Sequence, residues 1–307
     1  MGQEKKRTQN PHVLGILLVL TESLFFSLMT LFVRLSGGLP TMQKTFFRNA
    51  IAAVIAIIIL ARTPEKFHIK KGSLPDLFKR ATFGTIGMIL NFWAIDHVSL
   101  ADANILNKMS PFFAILVSAF VLSEIPNKVE VFSVVVAFVG AIFVVKPTMG
   151  AASLPGLVGL TSGACAGTAY TYVRRLGEKG ERGPVIVAFC SVFSCLVCVP
   201  SVLLHFVPMT AAQLACLLGA GSSAAIAQFA ITTAYKLAPA KEISVFDYSQ
   251  VLFASLWGGL FFSELPDGWS LLGYVMIIGM AVYKWYYNVH IQPGRVRQDH
   301  ENGQDAD

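Results

Sequence analysis

Apolar residues run along this chain in blocks of roughly 20, about the number a helix needs to cross ~30 Å of hydrocarbon. Ten blocks are predicted as spans: about Val13–Leu35, Met42–Ala61, Ala81–Ile95, Ala101–Leu122, Val129–Val145, Gly156–Val173, Pro184–Phe206, Ala211–Tyr235, Ala240–Phe262 and Ser270–Tyr287. Short polar or Gly/Pro-bearing breaks separate them, such as Gly37-Gly38-Leu39-Pro40. The ten-residue alternating pattern of a membrane barrel is absent. The expected fold is an all-α integral membrane protein with ten transmembrane helices.

The order of blocks repeats. Ala101–Pro147 is two apolar runs joined by Ser123-Glu124-Ile125-Pro126, and Ala240–Tyr287 is two more joined by Ser263-Glu264-Leu265-Pro266. Val33-Arg34-Leu35 matches Arg174-Arg175-Leu176, and Ser27 and Thr30 fall on Thr168 and Thr171. Each copy holds five spans. An odd number forces the second copy to enter from the opposite face, which gives two inverted five-helix repeats around a midplane site. The expected domains are a cytoplasmic tail at 1–12, a first repeat at 13–147, a connector at 148–155, a second repeat at 156–287 and a disordered cytoplasmic tail at 288–307.

Composition agrees. The chain is 54% hydrophobic and 14% charged, where a soluble domain carries roughly 25% charge. The net charge of +6 sits in the breaks between spans, so no nucleic-acid partner is expected. Counted by side, nineteen Lys and Arg fall on that of the N-terminus and three (Arg34, Lys44, Lys146) on the other. Arg48 and Lys108 lie within spans. Positive residues stay inside, so both termini are expected in the cytoplasm and the protein in the cytoplasmic (inner) membrane. Trp285, Tyr286 and Tyr287 suit an interfacial belt. Lys5, Lys6 and Arg7 before an apolar run imitate a signal peptide, but Glu22 interrupts the run and no small-x-small site follows, so an uncleaved first span is expected. Cys190, Cys195 and Cys198 are read as packing residues, without the His or carboxylate a metal site wants nearby.

Several motifs recur together: Phe47-Arg48 in the second span, Ser110-Pro111 and Ser123-Glu124, Gly140 with Lys146-Pro147, and Ser263-Glu264 with Gly273 and Gly279. With the two five-span halves, these make the chain resemble the drug/metabolite transporter superfamily, and within it the bacterial ten-helix EamA-type transporters. The resemblance runs over about Val13–Tyr287. It implies a secondary transporter. Three departures stand out: Phe25-Phe26 replaces the usual Trp-Gly of the first span, Val251 stands where a proline like Pro111 is usual, and Glu22 replaces an apolar residue. Small multidrug transporters of the same superfamily offer an analogy for a proton-coupling glutamate in the first helix.

An ionised side chain near the bilayer centre costs at least about 2.5–3.5 kcal/mol, so it needs a partner or a wet cavity. Glu22 lies roughly 14 Å into its span, and Lys108 and Asp247 roughly 10 Å into theirs. All three are expected to face one central cavity, with Glu22–Lys108 the direct pair; the alternative is a structural ion pair remote from substrate. Asn91, Asn104, Asn107, Tyr170, Gln228, Tyr248 and Gln250 offer neutral hydrogen bonds to a solute or, equally, between helices. Pro111 interrupts the fourth span and permits a bend that serves gating or shape. Gly159, Gly163 and Gly167 favour close helix packing. Arg34 and Arg48 are expected to snorkel outward, and Glu124 and Glu264 to be hairpin residues. No phosphate-cradling or catalytic motif is found, so no cofactor and no metal are expected.

The expected function is secondary active transport of a small polar or zwitterionic organic metabolite (amino acid-like, nucleoside-like or S-adenosylmethionine-like) by alternating access, with protons as a candidate coupling ion. The expected partners are that solute and membrane lipid, with the chain a monomer or homodimer. The alternative is a membrane-embedded lipid-modifying enzyme, for which Asp96, His97 and Asp102 are the candidate cluster. A channel would need an oligomeric pore.

Overall fold

The computed structural model describes residues 11–65, 67–122, 126–146, 153–237, 244–287 and 289. Most of the two tails, most of the connector, Ser123-Glu124-Ile125 of the first hairpin and the start of the ninth predicted span lie outside the described residues.

Among the described residues every regular element is helical. The order is α1 (Pro11–Leu35), α2 (Thr41–Ala61), α3 (Leu74–Ile95), α4 (Leu100–Asn107), α5 (Ser110–Val121), α6 (Lys128–Val145), α7 (Leu154–Glu178), α8 (Gly183–Leu204) and α9 (Ala211–Leu237). A 3₁₀ turn at Ser244–Tyr248 then leads into α10 (Ser249–Phe262), and α11 (Gly268–Tyr286) follows. Among the described residues, six stretches are long and apolar enough to cross a membrane: Val13–Leu35, Thr41–Ala61, Leu100–Val121, Lys128–Val145, Gly183–Leu204 and Ala211–Ile231. The chain is thus a helical multi-pass membrane protein.

Two predicted boundaries are corrected. The third helix begins at Leu74, not Ala81, because Pro75 suits a first helical turn and Asp76 favours the positive end of the helix dipole. Lys79 and Arg80, read from sequence as loop residues, are therefore helical. The fourth span is two helices. Proline lacks the N–H that would bond four residues back, and its ring crowds that carbonyl. For Pro111 that residue is Asn107, where α4 stops.

Local caps fix other ends. Asn127 and Glu130 form a reciprocal capping box at α6, and the Asp267 side chain accepts from Ser270 N at the start of α11.

Lipid is as apolar as leucine, so helix association here rests on close contact rather than water exclusion. Glycine supplies it, as the spacing in α7 predicts. A methyl on Gly163 would lie 2.5 Å from the Leu106 carbonyl oxygen, and one on Gly167 would lie 2.8 Å from Phe113 Cβ. α7 is thereby seated against the α4–α5 break. At the α6–α11 crossing, a methyl on Gly140 would lie 3.0 Å from Gly273 O. One apolar core joins α4, α5, α6, α10 and α11 around Ile105, Met109, Phe112 and Ile277. A second joins α1, α3, α4, α9 and α10 around Leu31, Phe92, Leu100 and Ala224.

Candidate functional site

The α4–α5 break and the 3₁₀ turn before α10 face each other. Lys108 Nζ donates to Asp247 Oδ1 at 2.6 Å, and the Tyr248 hydroxyl donates to the Lys108 carbonyl at 3.2 Å. A backbone oxygen left outside the helical ladder thus gains a partner. The second break forms although Val251 stands where a proline was expected.

Glu22 joins from α1. It is 3% exposed. Ser23 Oγ lies 3.2 Å from both Glu22 Oε2 and the Asp247 carbonyl. Glu22 lies within electrostatic reach of both Lys108 and Asp247. The expected direct Glu22–Lys108 pair is corrected, because the ammonium is taken by Asp247. Distances along helix axes gave depth but not direction around each axis, and direction decides the pairing.

Tyr170 on α7 is 55% exposed, yet it interacts with Glu22, Arg80, Lys108 and Asp247 from several other elements. Tyr170 is thus the residue of α7 within electrostatic reach of the charged group. Asn91 on α3 is buried, and its Oδ1 has no hydrogen-bond partner.

The other amides tie helices together. Gln250 Nε2 donates to Asn104 Oδ1 at 2.5 Å. Asn104 Nδ2 donates to Leu100 O at 2.7 Å and to Thr30 Oγ1 at 3.3 Å. Asn107 Nδ2 donates to Ser162 Oγ at 3.1 Å. These bonds join α1, α4, α7 and α10 beside the charged triad. Gln228 lies half-buried on α9. Pro111 sits in the first turn of α5.

Sequence reasoning missed Arg80, which it left in a loop, and set Arg48 aside as a snorkelling residue. The Nε atoms of both are buried without a partner. The helix-start signal Leu74-Pro75-Asp76 was the clue that Arg80 belongs to a span. Surface clefts lie elsewhere, one along Ser255–Leu265 and another beside Ser99, Asp102 and Lys146.

Ion pairs close both ends of the helices. Arg34 pairs with Glu264, and Arg34 Nη1 donates to Val98 O at 2.6 Å. Lys44 pairs with Asp96 at 2.7 Å and Lys146 with Asp267 at 2.6 Å. These are the three basic residues that the span order predicts for the sparsely charged side. The Asp267 carboxyl is held below the usual aspartate range by the Lys146 ammonium and by the Ser270 N–H. At the other end Asp76 meets Lys179 at 2.6 Å and Arg175 at 3.5 Å, and Arg182 meets Glu65 at 2.8 Å.

Buried charges that meet between the helices of a membrane protein fit the class of a transporter. The chain belongs to the EamA-like transporter family, whose model matches residues 13–146 and again 154–283. It is 32% identical over 267 residues to the pseudopaline exporter CntI of Pseudomonas aeruginosa, covering 86% of this chain and 93% of that protein. It is 25% identical over 303 residues to human solute carrier family 35 member G1, covering 92% of this chain and 83% of that one. A protein of known crystal structure shares the fold with a TM-score of 0.64 at 18% identity, covering 88% of this chain and 96% of that chain.

Proposed function

We propose that this chain is a secondary active transporter that moves a small polar or zwitterionic organic metabolite across the cytoplasmic membrane. In this reading ten spans form two inverted five-helix repeats, 13–147 and 156–287, which rock about the central charged space. Both tails lie in the cytoplasm. The observation that carries the reading is the meeting of Glu22, Lys108 and Asp247 beside two broken helices, and irregular backbone at membrane depth is of the kind tolerated where it lines a cavity.

The packing pattern supports the repeat. α1 packs on α9 and α3 on α7, and a shift of five spans carries one pair onto the other. The same shift carries α1–α10 onto the contacts of α7 with α4 and α5, and maps α2–α8 and α6–α11 onto themselves. The double match of the family model agrees with this division.

Two carboxyls and one ammonium leave the triad one positive charge short. A proton or a cationic group of the solute supplies it, which makes Glu22 and Asp247 the candidate coupling residues. The name of the CntI relative supports a small organic solute and outward movement.

The enzyme reading loses support from its own cluster. Asp96 is bound to Lys44, the His97 ring stacks on Trp93, and Asp102 accepts from the Tyr274 hydroxyl at 2.8 Å.

The test is reconstitution into proteoliposomes loaded with a mixed metabolite extract. A pH gradient is imposed and the contents are read by mass spectrometry. Gradient-dependent movement of a polar solute, lost in Glu22→Gln, is expected. Fluxes equal to those of empty liposomes would refute transport, and flux indifferent to the gradient would refute proton coupling.

A further inference from the structure

We propose that Arg48, Arg80 and Tyr170 form a second, anion-binding pole of the central space, which takes a carboxylate of the transported solute. The proposal deepens the transport reading above and rests on it.

Arg80 lies six residues inside α3. Side chains in a helix lean toward its N-terminus, and a basic residue near an end ordinarily reaches back to water. Arg80 does the reverse. Its guanidinium lies over Gly84, one turn further into the span. A methyl at Gly84 would collide with Arg80 Nη1 and lie 3.3 Å from its Cζ. The glycine leaves room for a guanidinium directed inward.

Arg48 on α2 lies within electrostatic reach of it. The two guanidinium groups act on each other electrostatically, and the other ionisable groups that act on Arg48 are Tyr170 and Cys195. No carboxylate is among them. Arg48 Nη1 donates to Asn49 Oδ1 at 2.9 Å, while its Nε and that of Arg80 lack partners. Cys190 on α8 also lies within electrostatic reach of Arg80. Two like charges within electrostatic reach of each other inside the spans, each with an unfilled Nε donor, are costly unless an anion visits them.

Tyr170 joins the two poles. It lies within electrostatic reach of Arg48 and Arg80 and also of Glu22, Lys108 and Asp247. One solute that reaches both poles meets carboxyls where an ammonium fits and guanidinium forks where a carboxylate fits. The fork suits a planar carboxylate with two parallel hydrogen bonds. The solute class is therefore an amino-acid-like zwitterion carrying at least one carboxylate.

The experiment is arginine modification by phenylglyoxal of the full-length protein in neutral detergent, read residue by residue by mass spectrometry. Sodium succinate, sodium phosphate and sodium chloride are compared at matched ionic strength, with neutral succinamide as a further arm. We expect Arg48 and Arg80 to react in chloride and to be protected several-fold by succinate, but not by succinamide or phosphate. Exposed Arg174 reacts alike throughout. Gly84→Ala displaces the Arg80 guanidinium, and Arg80→Lys keeps charge without the fork; both should lose the succinate protection of Arg48 while retaining the wild-type elution profile.

Arginines that do not react, react at a rate indifferent to succinate, or are protected equally by succinamide would overturn the proposal. Protection by phosphate alone would overturn the carboxylate assignment. Liposome flux reports separately: flux without carboxylate protection removes this site only, and protection without flux removes the transport reading only.

Discussion

Removal of the Lys108 charge is the perturbation with the largest predicted effect. The ammonium lies 2.6 Å from Asp247 Oδ1, with side-chain exposures of 11% and 23%. At an effective dielectric constant of about 20 the attraction at that distance is roughly 6 kcal/mol. Partial access to solvent reduces it, and loss of one partner of a buried pair typically costs about 3–5 kcal/mol. Lys108→Gln leaves two neighbouring carboxyls with no cation, whereas Asp247→Asn leaves Lys108 facing Glu22 alone. The lysine substitution should therefore cost more than the aspartate one. The assay is thermal unfolding in detergent, followed by the fluorescence of the four tryptophans. Lys108→Gln should lower the midpoint by roughly 6–10 °C. Asp247→Asn should lower it less, and the Lys108→Gln/Asp247→Asn pair should recover part of the loss. Wild-type stability of Lys108→Gln, or strictly additive effects in the pair, would refute the electrostatic reasoning.

Further outcomes follow from packing and from the ends. Gly163→Ala drives a methyl to 2.5 Å from the Leu106 carbonyl and should cost about 1–3 kcal/mol. Gly177→Ala on the same helix meets nothing within 4 Å and should stabilise by up to about 1 kcal/mol; thermal unfolding checks both. Glu264→Gln leaves Arg34 without its carboxylate and weakens the tie to Leu100 N at 3.2 Å. A cysteine placed at Tyr170 in a cysteine-free chain should then react faster with an impermeant maleimide added outside. The Asp267 carboxyl is lowered in the folded state by Lys146 and Ser270. Its contribution is complete above the unfolded aspartate value of about 3.9 and is lost as pH falls through the lower folded value. The pair is half exposed, so Asp267→Asn should cost under about 1 kcal/mol at neutral pH. That difference from wild type should shrink on acidification below the ordinary aspartate range.

Particular residues explain how far the chain could be read in advance. The long apolar helices α1, α2, α6, α8 and α9 were legible because each carries enough consecutive apolar residues to span alone. The α4–α5 break was legible as a bend because proline announces itself. The break before α10 was not, since Val251 carries no such signal and tertiary bonds from Tyr248 and Asp247 hold that turn. The first turns of α3 were missed because Lys79 and Arg80 look like loop residues to a hydropathy reading, although Pro75 and Asp76 mark a helix start. The partner of Lys108 was misjudged because spacing along a helix gives depth only. The amide ladder of Gln250, Asn104 and Thr30 is a contact between segments far apart in sequence, which local pattern does not encode.

The central claim is a water-accessible space, reached from one side of the membrane at a time. The direct measurement is the reaction of an impermeant maleimide with a Tyr170→Cys variant in a cysteine-free chain, in right-side-out and inside-out vesicles. A disulfide between Arg34→Cys and Glu264→Cys then locks the outer end. The account predicts reaction from both sides before locking and from the inner side alone afterwards. No reaction from either side, or reaction from both sides that the lock leaves unchanged, would contradict it.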